Sequence, residues 1–128
     1  MPKNKKPVIV AIDDEVDFIG MLKEYFELRG YDIMTSSKAA QGLELIGSKK
    51  PDVVILDLKM PGVSGDEILA LMKSKQPKTK VIFVTAFDDA GKTRTRLLEQ
   101  GAYAYLDKPI DSLKNLEDVV QRAYSEKK

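Results

Sequence analysis

Two hydrophobic periods alternate along this chain. Val8–Ile12, Val53–Leu56 and Val81–Val84 are unbroken apolar runs rich in β-branched residues, as strands covered on both faces require. Tyr31–Thr35 is a shorter, more polar strand placed nearer a sheet edge, and Ala102–Leu106 supplies a fifth. Between them the apolar positions fall at helical spacing. Asp14–Arg29 carries Phe18, Ile19, Leu22, Tyr25 and Phe26, with Gly30 as its stop. Ser36 or Ser37 caps a helix that puts Ala39, Ala40, Leu43 and Ile46 on one face before Pro51. Met60–Gly65 is a loop of turn residues, and Asp66–Lys75 offers Ile68, Leu69, Leu71 and Met72 to a core. Asp88–Gln100 is poorer, with Ala90, Leu97 and Leu98 set among Lys92, Arg94, Arg96 and Glu99, so it should be the least firmly packed helix. Asp111 or Ser112 caps the last helix, which bears Leu113, Leu116, Val119, Val120 and Ala123. Five βα units in succession predict an α/β fold with a parallel sheet, and right-handed crossovers put helices on both of its faces.

In an open parallel sheet the carboxyl ends of the strands line one crevice. Here the runs stop at Asp13-Asp14, at Asp57, at Thr85 and at Asp107-Lys108-Pro109. Three carboxylates brought together repel one another unless protons or a divalent cation neutralise them. The chain contains no Cys and no His, so it has neither thiolate nor imidazole chemistry. Hard oxygen ligands remain, and they suit magnesium. A carboxylate can itself attack phosphorus and become an aspartyl phosphate. Such transfer needs charge neutralisation and alignment more than a strong base, and Lys108 and Thr85 supply an ammonium and a hydroxyl. Singly these residues are ordinary: an Asp pair after a strand is a turn or cap device, and a lone Asp, Thr or Lys there is a solvated loop residue. Their joint order on four strand ends carries the chemistry.

At 128 residues the chain fits one domain, with a core from about 7 to 124. Lys+Arg 21 against Asp+Glu 20 leaves a net charge of +1, so no global field draws it to nucleic acid or an anionic membrane. No apolar run is long enough to span a bilayer, and the basic start Met1-Pro2-Lys3-Asn4-Lys5-Lys6-Pro7 is not followed by a signal-type core. The expected location is cytoplasmic. After the last helix only Ser125-Glu126-Lys127-Lys128 remain, too few for a DNA-binding or enzymatic module.

Four stretches resemble the receiver domain of two-component response regulators, the CheY-like family: Val8–Glu15, Asp57–Gly65, Val84-Thr85-Ala86 and Gly101–Pro109. The likeness runs from about Pro7 to Tyr124. It implies a flavodoxin-like (βα)5 three-layer sandwich of strand order 2-1-3-4-5. It also implies roles. Asp57 would accept a phosphoryl group from the phosphohistidine of a sensor histidine kinase or a phosphotransfer protein. Asp14 and Asp57 would bind Mg2+ with the Lys59 carbonyl, Asp13 assisting through a metal-bound water. Lys108 would pair with the phosphoryl oxygens and Thr85 would donate its hydroxyl to one of them. Thr85 would then be drawn toward the phosphoryl group while Tyr105 turns inward, remodelling the face made by the fourth helix, fifth strand and fifth helix. Ala86 is small enough to leave room for both, and Lys108-Pro109 would be a cis peptide.

The implied partners are a kinase, facing the first helix around Asp17, Gly20 and Met21, and a downstream protein or output domain. Lys92, Arg94 and Arg96 fit a solvated helix face better than a partner or a phosphorylation-dependent homodimer face. Ile110 stands where DNA-binding branches of the family often carry an aromatic, which speaks against transcriptional output and direct contact with nucleic acid. Whether the chain is stand-alone or part of a longer protein stays open. Two other classes compete: an aspartyl-nucleophile phosphatase of the haloacid dehalogenase type, which needs a second Asp where Lys59 stands, and a receiver-like module that binds without phosphorylation. Lys59 and Phe87 are individual to this chain, and their bulk and charge flank the route by which water would reach an acyl phosphate.

Overall fold

The computed structural model describes residues 6–126, so Met1–Lys5 of the basic start and the terminal Lys127-Lys128 lie outside the described residues. Five parallel strands, β1 (Val8–Ile12), β2 (Asp32–Ser36), β3 (Val53–Leu56), β4 (Lys80–Thr85) and β5 (Ala104–Asp107), form one sheet of order β2-β1-β3-β4-β5. The helices are α1 (Val16–Leu28), α2 (Ala39–Lys49), α3 (Gly65–Lys75), α4 (Lys92–Glu99) and α5 (Leu113–Ser125). This is the flavodoxin-like arrangement expected, with the polar β2 at one edge.

Strand residues divide by parity between two cores. Ile9, Ala11, Val53, Ile55, Ile82 and Val84 pack beneath Ile19, Leu22 and Phe26 of α1 and Leu116, Val120 and Ala123 of α5. Val10, Ile12, Val54, Leu56, Val81 and Phe83 meet Ile46 of α2, Ile68, Leu69 and Met72 of α3 and Leu97 of α4. The central strands are therefore anchored on both sides, which holds their tips rigid.

Several boundaries differ from the periodicity, each for a local reason. The fourth helix begins at Lys92 rather than Asp88: Asp88 Oδ1 accepts from Ala90 N at 3.0 Å, Asp89 accepts from Thr93 N and Oγ1, and Ala90 and Gly91 take positive φ. Local side-chain bonds thus outcompete the helix there. Its buried residues are Thr93 and Leu97, in keeping with thin packing. The fifth strand runs from Ala104 to Asp107, two residues later at its start, because Gly101 and Ala102 complete the α4 turn. Lys38, not Ser36 or Ser37, occupies the α2 N-cap without a side-chain bond, since Ser36 closes β2 and its hydroxyl turns to Lys38. Ser112 caps α5 by accepting from Asn115 N, as expected.

The segment after Asp57 is pinned by Ser64, which exchanges capping-box bonds with Glu67, and by Gly65. A Cβ on Gly65 would lie 2.7 Å from Phe83 Cε1 and 3.2 Å from the Leu58 Cα. Gly65→Ala should therefore cost about 1–3 kcal/mol as overpacking, read as a lower urea midpoint at unchanged m. An unchanged midpoint would show that α3 can slide away freely.

Candidate functional site

Each strand tip delivers its residue to one end of the sheet. β1 and β3 are adjacent with Ile12 opposite Leu56, so Asp13 and Asp57, the next residues, sit side by side. Asp57 N donates to Ile12 O at 3.0 Å, and Asp13 N donates to Ser36 O at 3.1 Å. Thr85 ends β4 opposite Asp107 of β5, and Lys108 N donates to Thr85 O at 2.9 Å. Asp57, Thr85 and Lys108 line a cavity of about 800 Å3 that also takes in Asp14, Phe18, Met21, Lys59, Ala86, Phe87 and Ile110.

Carboxylate oxygens of Asp13, Asp14 and Asp57 all lie within 4.8 Å of one another, Asp13 and Asp57 buried and Asp14 exposed. Burial pushes the Asp13 carboxyl above its ordinary value, and the Asp57 charge pushes the same way against hydrogen bonds from Lys108 and the Glu15 backbone. Lys108 Nζ donates to Asp13 Oδ2 at 2.8 Å, bonds to Glu15 Oε1 and stands 3.9 Å from Asp57 Oδ2. Burial alone would lower the Lys108 ammonium, yet the bonds to Asp13 and Glu15 and the charges of Asp13 and Asp57 outweigh it and raise it. A permanent cation thus stands beside a compact set of oxygen donors. That donor set, hard, crowded and short of positive charge, fits magnesium.

The remaining expected residues fall around this centre. Thr85 is buried, and its Oγ1 accepts from Phe87 N at 3.2 Å. Lys59 N reaches Asp57 Oδ1 at 3.4 Å, while its ammonium lies 4.4 Å from the Phe87 ring centroid. Ala86 lines the cavity, and Lys108-Pro109 is cis. Tyr105, expected to turn inward after phosphorylation, already lies inward at 5% exposure, and its hydroxyl donates to Phe87 O at 3.0 Å. Asp107 stays outside the site, paired with Arg94 at 2.7 Å. Arg96 pairs with Asp66 at 2.7 Å, so two of the three cations on α4 are engaged within the chain.

Two residues of consequence escaped the sequence reading. Glu15 looked like one more exposed acid, and nothing in its spacing signals the Lys108 contact. Glu117 is 3% exposed in α5, accepting from Tyr25 and Tyr31 hydroxyls at 2.9 and 2.8 Å and pairing with Arg29 at 2.7 Å. It falls one turn beyond Leu113 and three before Val120, so its place on the apolar face was legible.

Comparison with known proteins agrees with this geometry. The family model for the response regulator receiver domain matches residues 9–121. Sporulation initiation phosphotransferase F of Bacillus subtilis is 32% identical over 89% of this chain and 90% of its own length. Regulatory protein AtoC of Escherichia coli is 36% identical over 90% of this chain, which spans only 24% of that protein. The crystal structure of a response regulator receiver domain protein from Clostridium thermocellum superposes with a TM-score of 0.83 at 32% identity, covering 93% of this chain and 94% of that one.

Proposed function

We propose that this chain, which belongs to the response regulator receiver domain family, is a switch thrown by transfer of a phosphoryl group to Asp57. The observation that carries this is the juxtaposition of Asp57 with Asp13, Asp14, Thr85 and Lys108 at one sheet end. In the transfer a carboxylate oxygen of Asp57 forms a bond to phosphorus. The bond from phosphorus to the donor's imidazole nitrogen breaks, its electron pair stays on that nitrogen, and the donor ring, protonated at its other nitrogen, leaves as neutral imidazole. Asp13, Asp14 and Asp57, with the Lys59 carbonyl, would hold Mg2+, which supplies charge neutralisation to the phosphoryl oxygens. Lys108 leaves its carboxylate partners for those oxygens. Thr85 Oγ1 already accepts from Phe87 N, so its own proton is free to be donated.

Phe87 joins this event to the surface. Its N–H bonds Thr85 and its carbonyl receives the Tyr105 hydroxyl, so displacement of Thr85 pulls on the peptide that holds Tyr105. About two added negative charges bias the thinly packed α4 and its junction with β5. Residues 7–124 act as one such unit, and the docking face for the donor protein is the cavity rim at Asp17 and Met21. The chain is not a turnover enzyme: Lys59 stands where a haloacid dehalogenase-type phosphatase needs its acid/base Asp. Among the described residues no helix is long and apolar enough to cross a membrane.

Incubation with acetyl phosphate and magnesium tests the reading. One phosphoryl group per chain, at Asp57, is expected. Catalytic release of phosphate would mark a phosphatase, and absence of labelling a binding module. Lys59 and Phe87, in contact with each other, line the same cavity as Asp57 and would hinder the approach of water to it. Phe87→Glu should therefore shorten the acyl phosphate's half-life, by about fivefold for a cation–π contact worth about 1 kcal/mol. An unchanged half-life would remove the lid from the account.

A further inference from the structure

The Lys108 ammonium is held from the α1 side of the site. Asp13 at 2.8 Å, the Glu15 carboxylate and the Phe18 ring, 4.7 Å away, all grip it, whereas Asp57 is 3.9 Å distant. Glu15 is the unexpected member. It occupies the N-cap of α1, where a side chain ordinarily bonds the first helical N–H groups, yet it makes no such bond. Its backbone N–H donates to Asp13 Oδ1 at 2.9 Å, which sets its carboxylate over Lys108.

We infer that Glu15 is a positioning residue that restrains Lys108 away from Asp57 and so slows phosphoryl uptake. This rests on Asp57 being the acceptor. A phosphoryl group on Asp57 and the Glu15 carboxylate compete for one ammonium, and cation binding at Asp13 would leave Glu15 as the stronger of the two carboxylate holds. Removing the Glu15 charge frees Lys108 at no cost to the metal ligands. Glu15 is 61% exposed at its side chain, so solvent screens the pair and the restraint is moderate.

The test compares the intact chain with Glu15→Gln, Glu15→Ser and Glu24→Gln. Glu24 is an exposed acid of the same helix, outside the cavity and outside salt-bridge distance of Lys108. With saturating magnesium and acetyl phosphate, both Glu15 variants should be labelled about fivefold faster than the parent, the rate equivalent of an exposed pair worth about 1 kcal/mol. Glu24→Gln should change the rate less than twofold. The NMR signal of the Lys108 side chain, recorded without donor, should move in the Glu15 variants and stay in Glu24→Gln. Unchanged labelling in both Glu15 variants, equal acceleration by Glu24→Gln, or an unmoved Lys108 signal would each overturn the inference. A parent chain that takes no label at Asp57 would overturn the acceptor reading and this inference with it, whereas a labelled parent with unaccelerated variants sinks only the inference.

Discussion

Asp57→Asn will take up no phosphoryl group from acetyl phosphate and magnesium, and the intact-mass shift seen for the parent will be absent. Asparagine keeps the shape of the side chain but offers a neutral amide, a far weaker nucleophile than a carboxylate. The surroundings change as well. Asp57 is buried beside Asp13, so the substitution removes one of two like charges and leaves Lys108 facing Asp13 and Glu15 without a third partner. The metal-free variant should therefore be at least as stable as the parent. Magnesium separates the two proteins further. A cation at a hundredfold excess over its dissociation constant stabilises a fold by about 2.7 kcal/mol, so the parent's melting temperature should climb with magnesium while that of Asp57→Asn climbs much less. Equal labelling of parent and variant would remove Asp57 as acceptor, and equal magnesium response would remove it from the cation site.

Glu117→Ala should be strongly destabilising although it lies away from the site, by about 3 kcal/mol. The carboxylate is buried under α1 and α5, and without it the Tyr25 and Tyr31 hydroxyls lose their acceptor, Tyr31 in a site that is itself buried. The pH dependence gives a second readout. Burial alone would raise Glu117, but hydrogen bonds from Arg29, Tyr31 and Tyr25 hold it below its ordinary 4.5. Its contribution is thus present above pH 4.5 and is lost as pH falls through the lowered value. Burial pushes Tyr31 from 10.0 up to about 12, aided by Glu117 and against the bond from Gln121. Its contribution is present below pH 10 and is lost as pH rises toward about 12. Urea midpoints measured across pH should therefore show a parent that weakens at both extremes and a variant whose profile is lower and flatter. A variant within about 0.5 kcal/mol of the parent would mean that the network contributes nothing net.

Much of the site was legible because parallel strands leave little freedom. Once Val8–Ile12 and Val53–Leu56 are read as buried strands, Asp13 and Asp57 must emerge at the same end of the sheet, and Thr85 and Lys108 follow by the same logic. The helix boundaries were less legible where polar side chains bond their own backbone. Asp88 and Asp89 tie up the β4–α4 turn and delay the helix to Lys92, a competition that hydrophobic spacing does not register. Asp107 ends β5 beside Lys108, yet its side chain turns away from the site to Arg94, a choice that strand polarity does not register.

By itself the sequence determined the fold class, the two-sided burial of the sheet and the acids that crowd its carboxyl end, because apolar periodicity and strand polarity act over a few residues at a time. Only the tertiary structure decided which partner each charge takes: Lys108 with Glu15, Arg94 with Asp107, Glu117 with two tyrosines, and Tyr105 already turned inward. Those choices join residues from 13 to 93 positions apart. They depend on which groups the packing leaves within about 3 Å of each other in a medium of low dielectric, and no local pattern encodes that.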